Sequence, residues 1–180
     1  FRTAADCLGH WASEYHIDGF HIIGNDELAK MLAKDPVFTG VKLLGSYFPA
    51  EEIYARNKVL RNRNLGEYHA GFQEDARGLL KGDQNQVSAF TFRIRRNPAY
   101  TGVINYMAGH DGFTMMDMVS YSEKHNEENG EQNHDGPDRN QSWNCGIEGP
   151  TRKKKITELR YRQLRNAFLM LLLAAGTPMI

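Results

Sequence analysis

The chain has 180 residues, enough for one domain with a hydrophobic core. Hydrophobic residues make up 41% and charged residues 24%, a balance that excludes a disordered polar chain. Lys plus Arg and Asp plus Glu number 22 each, so bulk charge gives no reason to expect a nucleic-acid partner or an anionic membrane. The longest apolar run, Ala167 to Ala175, is too short to cross a bilayer, and no signal peptide is visible. Cys7 and Cys145 stand too far apart for a disulfide framework or a zinc ribbon, and two separate thiols in a reducing, cytoplasmic compartment are expected. The chain starts at Phe1 and stops at Gly176-Thr177-Pro178-Met179-Ile180, which reads as the opening of a strand, so a piece of a larger protein is expected.

Ala4, Ala5, Leu8, Trp11, Ala12 and Tyr15 fall at helical spacing and predict an amphipathic helix over roughly residues 2–15. A strand follows over His16 to Ile23, with Gly19 inside it suggesting close backbone approach. Asn25 can cap a helix carrying Leu28, Met31 and Leu32, which Asp35-Pro36 ends. Val41 to Gly45 reads as the next strand, with Ser46 at its end. Glu51 to Arg63 fits either a surface helix or a long loop. Leu65 to His69 predicts a short strand, and Phe72, Ala76, Leu79 and Leu80 a helix ending at Gly82-Asp83. Val87 to Ile94 is compatible with helix or strand.

The β-branched run from Thr101 to Ile104 reads as a buried parallel strand extending to Met107. It opens into Gly109-His110-Asp111-Gly112-Phe113-Thr114, a tight loop with an imidazole and a carboxylate side by side. Thr114 can cap a helix running to about Tyr121, with Met115, Met116, Met118 and Val119 on its apolar side. Parallel α/β proteins place their chemistry at the carboxyl ends of buried strands, so His110 and Asp111 are candidate functional residues. The same two residues could instead be a structural pair in a turn. Glu123 to Gly149 is a long polar loop, and loops of that length are functional or disordered. Trp143 within it suits stacking on a sugar face or pinning the loop to the core. His125, Glu127, Glu128, Glu131, His134 and Asp135 match no metal-ligand spacing and read as a solvated loop. Ile156 to Leu172 predicts the longest helix, with Arg160, Arg162 and Arg165 on a solvated face. Strands alternating with helices predict βα units around a parallel sheet.

The segment Asn105-Tyr106 to His110-Asp111-Gly112-Phe113-Thr114 resembles the strand-seven motif of α-amylase family glycoside hydrolases. Lys124-His125-Asn126-Glu127-Glu128-Asn129-Gly130-Glu131, Asn140-Gln141-Ser142-Trp143-Asn144-Cys145-Gly146-Ile147-Glu148-Gly149, Leu159 to Gln163 and Gly176 to Met179 resemble the isoamylase and glycogen-debranching branch of that family. Tyr15 to Phe20 resembles the strand-four motif. The resemblance implies an incomplete (β/α)8 TIM-barrel of α/β class, roughly strands four to eight with flanking helices. Residues 1–180 would form a single partial catalytic barrel domain, with 123–150 as a long polar loop within it. A complete barrel needs about 250 residues. The missing strands would leave sheet edges exposed, so self-association or excision from a longer protein is expected.

The resemblance also implies chemistry, and the departures from it bear on that chemistry. Retaining glycoside hydrolysis needs two carboxylates about 5 to 5.5 Å apart. The family's nucleophile, an Asp, aligns with Ile23, and the Arg two residues before it aligns with His21. The acid/base Glu aligns with Ser46. Ile has no lone pair with which to attack, and a serine hydroxyl is too weak an acid to protonate a glycosidic oxygen. Asp111 alone matches a family carboxylate, a transition-state stabiliser and sugar contact, with His110 bonding the same ring. Asp18, Asp26, Glu27, Glu51 and Glu52 are the neighbouring carboxylates that a shifted alignment would bring in. The expected function is that of a glycogen-debranching-related protein that binds an α-glucan or oligosaccharide through His110, Asp111 and Trp143 and is catalytically inactive. Alternatives are an active α-1,6-glucan debranching hydrolase and a structural module without glucan binding. No organic cofactor and no metal are expected.

Overall fold

In the computed structural model, residues 1–55 and 64–180 are described. The reading of 56–63 as part of a surface helix or loop lies outside these residues. Five strands alternate with helices along the chain: β1 (Gly19–His21), β2 (Lys42–Gly45), β3 (Leu65–Tyr68), β4 (Gly102–Tyr106) and β5 (Thr177–Met179). They form one all-parallel sheet in the order β1-β2-β3-β4-β5. Gly19 pairs with Lys42, Leu43 with Leu65, and Glu67 with Val103. The fold is therefore α/β, as expected, and compatible with part of a barrel. The chain divides into two compact units, Phe1–His69 with Arg96–Ile104, and Ala70–Arg95 with Asn105–Ile180.

In the first unit, α1 (Arg2–Glu14) matches the predicted helix. The strand expected over 16–23 is shorter: His16 turns the chain with a φ of 54°, and only 19–21 pair as a strand. One ladder bond continues beyond it, from Ile22 N–H to Leu44 O at 2.8 Å. Gly19 has the close approach its position suggests, since a Cβ there would lie 2.7 Å from Lys42 O. Asn25 caps α2 (Asp26–Lys34), its Oδ1 accepting from Leu28 N–H at 2.9 Å. Asp26 and Glu27 in the first turn and Lys34 in the last oppose the helix dipole. Asp35 then caps a 3₁₀ turn, Pro36–Phe38, that delivers Phe38 to the core. Ala29 and Leu32 bury against Leu43, Leu65 and Phe48 in one apolar cluster. A short α3 (Ala50–Ala55) closes the described part of this stretch.

In the second unit, α4 (Ala70–Lys81) ends as predicted at Gly82, whose φ of 90° lets its amide and that of Asp83 bond back to Leu79 and Gly78. The ambiguous run from 87 to 94 is a helix, α5 (Gln86–Ile94), tied to α4 by Arg93 and Asp75 at 2.7 Å. The helix predicted from 115 to about 121 is a single turn, α6 (Met115–Met118). Its capping box is complete: Thr114 Oγ1 accepts from Asp117 N–H, and the Asp117 carboxylate accepts from Thr114 N–H. The long α7 (Lys154–Leu173) buries Ala167 and Leu171 among Phe72, Ala76, Met107 and Met118. Arg160 departs from the solvated face assigned to it; it is 6% exposed, and its guanidinium donates to the Asn144 and Ile147 carbonyls. Leu169, Leu172 and Leu173 of α7 are exposed. Cys7 and Cys145 are both free thiols. Among the described residues, no helix is long and apolar enough to cross a membrane.

Candidate functional site

The second unit holds His110 and Asp111 at the carboxyl end of β4. Met107 anchors this end in the core, and the chain then turns outward. His110 and Asp111 side chains are 55% and 69% exposed, with Nδ1 and Oδ1 4.0 Å apart. That separation is longer than a hydrogen bond. Among the described residues no hydrogen bond engages the Asp111 carboxylate, which leaves its lone pairs open to a ligand.

What fixes this loop is Arg77, a residue the sequence reading passed over. Arg77 sits on α4 and is 3% exposed. Its Nε donates to Met107 O at 2.7 Å, one terminal nitrogen to Asn140 O at 2.9 Å, and the other to Phe113 O at 3.0 Å. One guanidinium thus ties the strand end, the turn after Asp111, and the far end of the polar loop. Burial pushes its pKa down to about 10, partly offset by Tyr106 and Asp111. It stays charged at neutral pH. Asn140 adds a second tie, its Oδ1 accepting from Phe113 N–H at 3.1 Å. That contact explains Gly112: at a φ of 70°, a Cβ there would lie 2.8 Å from the same Oδ1.

Asp111 borders two clefts. The larger, of about 440 Å³, runs from His110 and Asp111 past Tyr121 to His125 and Asn126. Phe113, Tyr121 and His125 line one side, with ring centroids 6.2 and 5.6 Å apart in sequence. Such a mixture of aromatic faces with amide, imidazole and carboxylate groups suits a polyhydroxylated ligand. The smaller, of about 290 Å³, is lined by Gln73, Arg77, Arg139 and Gln141.

The polar loop is braced from within. Lys124 donates to the Asp135 and Gly136 carbonyls at 3.1 and 3.2 Å, and Asp135 accepts from Asn129 at 2.7 Å. Glu148 gathers the other end, accepting from the Ser122 and Glu123 amides, from Asn144, and sharing a proton contact with His125 at 3.1 Å. Burial works to raise the Glu148 pKa, but hydrogen bonds from Asn144, Ser122, His125 and Glu123 outweigh it and hold the carboxyl at about 2. Neither Arg77 nor Glu148 was marked out by sequence. Each looks like an ordinary surface charge until the fold shows what surrounds it.

Trp143 is half-buried and packs against the core of Phe72, Met107 and Met118, its amide donating to Met118 O at 3.0 Å. It does not line either cleft beside Asp111. Among the described residues, no group of three or more His, Cys, Asp or Glu could hold a metal ion.

The first unit holds Ile23 and Ser46. Each follows the carboxyl end of a strand, β1 and β2, which pair directly. Both are exposed, Ile23 at 56%. Two of the neighbouring carboxylates are paired, Glu27 with Lys30 and Glu52 with Lys34, each at 2.7 Å. Asp26 opens α2 and Glu51 lies in the first turn of α3. Among the described residues Glu67 is the one buried acid near these strand ends, 4% exposed, and it accepts from Phe48 N–H and pairs with Arg96. Two residues from Leu65, it faces the apolar side of the sheet.

An α/β protein with a polar, aromatic-lined cleft at the carboxyl end of a parallel strand is what fold and site define together. No family model matches the chain. Among curated proteins it is 35% identical to isoamylase 3, chloroplastic, of Oryza sativa, over 97% of this chain and 25% of that protein. It is 35% identical to a glycogen operon protein GlgX homolog of Mycobacterium tuberculosis, over 97% of this chain and 27% of that protein. It is 34% identical to the glycogen debranching enzyme of Erwinia tasmaniensis, over 99% of this chain and 30% of that protein. The chain thus spans less than a third of the length of these relatives. It belongs to the isoamylase and glycogen-debranching branch of the α-amylase family, the branch its motifs resemble.

Proposed function

We propose that the chain is one partial barrel domain, its five strands corresponding to strands four to eight, and that it binds an α-glucan without hydrolysing it. A cytoplasmic location goes with this reading. The observation that carries it is the pair of residues at the ends of β1 and β2. Ile23 and Ser46 stand where the family resemblance puts nucleophile and acid/base, and neither can do that chemistry. Of the nearby acids, Glu27 and Glu52 are held in surface ion pairs and Glu67 is buried against Arg96. The Asp111 loop, by contrast, is kept in shape by Arg77 and Asn140, with its carboxylate open to the cleft. Binding needs those groups; cleavage needs the two that are replaced.

Glycogen incubated with the protein tests the catalytic half, by following new reducing ends. None above the blank is expected. Ends that appear with the parent and vanish in Asp111→Ala would establish an active debranching hydrolase instead. Retardation in a glycogen-containing native gel tests the binding half. The parent is expected to be slowed and Asp111→Ala to run free. Equal mobility of parent and variant, both unretarded, would favour a structural module.

A further inference from the structure

A third cleft in the second unit, of about 360 Å³, lies between α6 and the first turns of α7. Neither His110 nor Asp111 lines it. Its volume falls within the range of small-ligand sites. We infer that this cleft is a second carbohydrate site, taking a neutral sugar ring against Tyr161 and Met116 with Ser120 and Arg160 beneath. This rests on the glucan-binding reading above and extends it to an adjoining cleft, which shares Asp117 and Tyr121 with the cleft beside Asp111.

Arg160 provides the first reason. It is buried, and although one terminal nitrogen serves three carbonyls, Nε has no hydrogen-bond partner. Among the described residues no carboxylate lies within ion-pair distance of it. A buried guanidinium met only by carbonyl dipoles is left with one N–H donor unsatisfied. Ser120, 5% exposed, provides the second. Its backbone N–H and C=O are used by Asp117 and Gly149, while its hydroxyl enters no hydrogen bond among the described residues.

Charge then selects the ligand. Asp117 lines the same cleft and offsets Arg160, which disfavours both a phosphate and an ammonium group. A neutral ligand with hydroxyls can meet the Ser120 hydroxyl without bringing in an unpaired charge. The rim supplies the apolar half, since Met116 and Tyr161 are 44% and 51% exposed. A thioether and a phenol ring present a face on which the C–H side of a sugar ring can pack.

Calorimetric titration with maltoheptaose tests this on the full chain, using the parent, Asp111→Ala, Tyr161→Ala and the double variant. In Asp111→Ala, residual binding is expected, and adding Tyr161→Ala weakens it about tenfold. Tyr161 is half-exposed, so its truncation spares the core; Met116→Ala, on the facing wall, is expected to weaken the same binding. Residual binding indifferent to both rim variants overturns the second site and leaves the first standing. Binding lost in Asp111→Ala alone does the same. Binding that ignores Asp111→Ala but falls in Tyr161→Ala supports the second site and overturns the first. No binding to the parent overturns both. Inorganic phosphate is run in parallel, and a phosphate isotherm abolished by Ser120→Ala would replace the sugar assignment.

Discussion

Two side chains, Arg77 and Glu148, brace the segments around the cleft beside Asp111. Arg77 offers its guanidinium to three carbonyls from chain positions 107, 113 and 140. Arg77→Met keeps the stem volume but takes the guanidinium donor from all three carbonyls, leaving Met107 O with Gln73 alone. A loss of about 3 kcal/mol in urea-unfolding free energy is expected, together with weaker glycogen retardation. Arg77→Lys restores little, because one ammonium cannot reach three divergent carbonyls. Glu148 supplies a pH dependence. Its folded pKa of about 2 lies below its ordinary value of 4.5. A depressed carboxylate stabilises the fold above the unfolded pKa, and that contribution is lost as pH falls from about 4.5 towards 2. Urea midpoints measured from pH 6 to pH 2 should therefore fall less steeply in Glu148→Gln than in the parent. Parallel curves for the two would mean that the Glu148 cluster contributes nothing to stability. Arg77, Glu148 and Arg160 were illegible in the sequence for one reason. A charged residue on a polar stretch looks solvated, and only the chain packed around it makes it an internal brace.

Elements were easier to read where local chemistry specifies them. Asn25 before Asp26 and Glu27, Asp35 before Pro36, and Gly82 after Lys81 announce helix ends by side-chain capping, fixed φ and positive φ, and all three sit where expected. Thr114 and Asp117 announce the start of α6 equally well. They say nothing of its end, and apolar spacing to Val119 overextended it. The chain leaves the helix after one turn as the Met118 and Ser120 carbonyls accept from the Trp143 and Gly149 amides of the returning loop. The first strand was overextended similarly, by counting His16 and Ile17 as ladder residues when His16 has a positive φ. A helix of one turn depends heavily on its cap. Thr114→Ala is expected to cost about 1 kcal/mol in chemical unfolding, with Thr114→Ser close to the parent. Equal stability of the alanine variant would show that packing of Met118 alone holds the turn.

At the level of the whole molecule, family membership and α/β class were both legible from linked motifs and from the alternation of strands with helices. Apolar surface is the feature that local patterns could not settle. Leu169, Leu172 and Leu173 of α7 stand 58%, 57% and 69% exposed on a helix whose other positions, Ala167 and Leu171, are buried. Exposed leucines in a cluster favour association. Sedimentation velocity should find concentration-dependent association that the double variant Leu169→Lys, Leu172→Glu reduces, since charge at these positions must be desolvated to bury them. An unchanged distribution would place the contact elsewhere.

The polar loop carries one more consequence. Its return is stapled to α6 by Trp143 N–H to Met118 O and Gly149 N–H to Ser120 O, and Arg77 clamps it at Asn140. Its outer reach, residues 127 to 132, is exposed. A protease nick in that outer reach would cut the chain without releasing either piece, because the bonds that hold the loop lie on both sides of the cut. The nicked protein would migrate as one species under native conditions and as two fragments once denatured, with the cleft beside Asp111 still assembled in between.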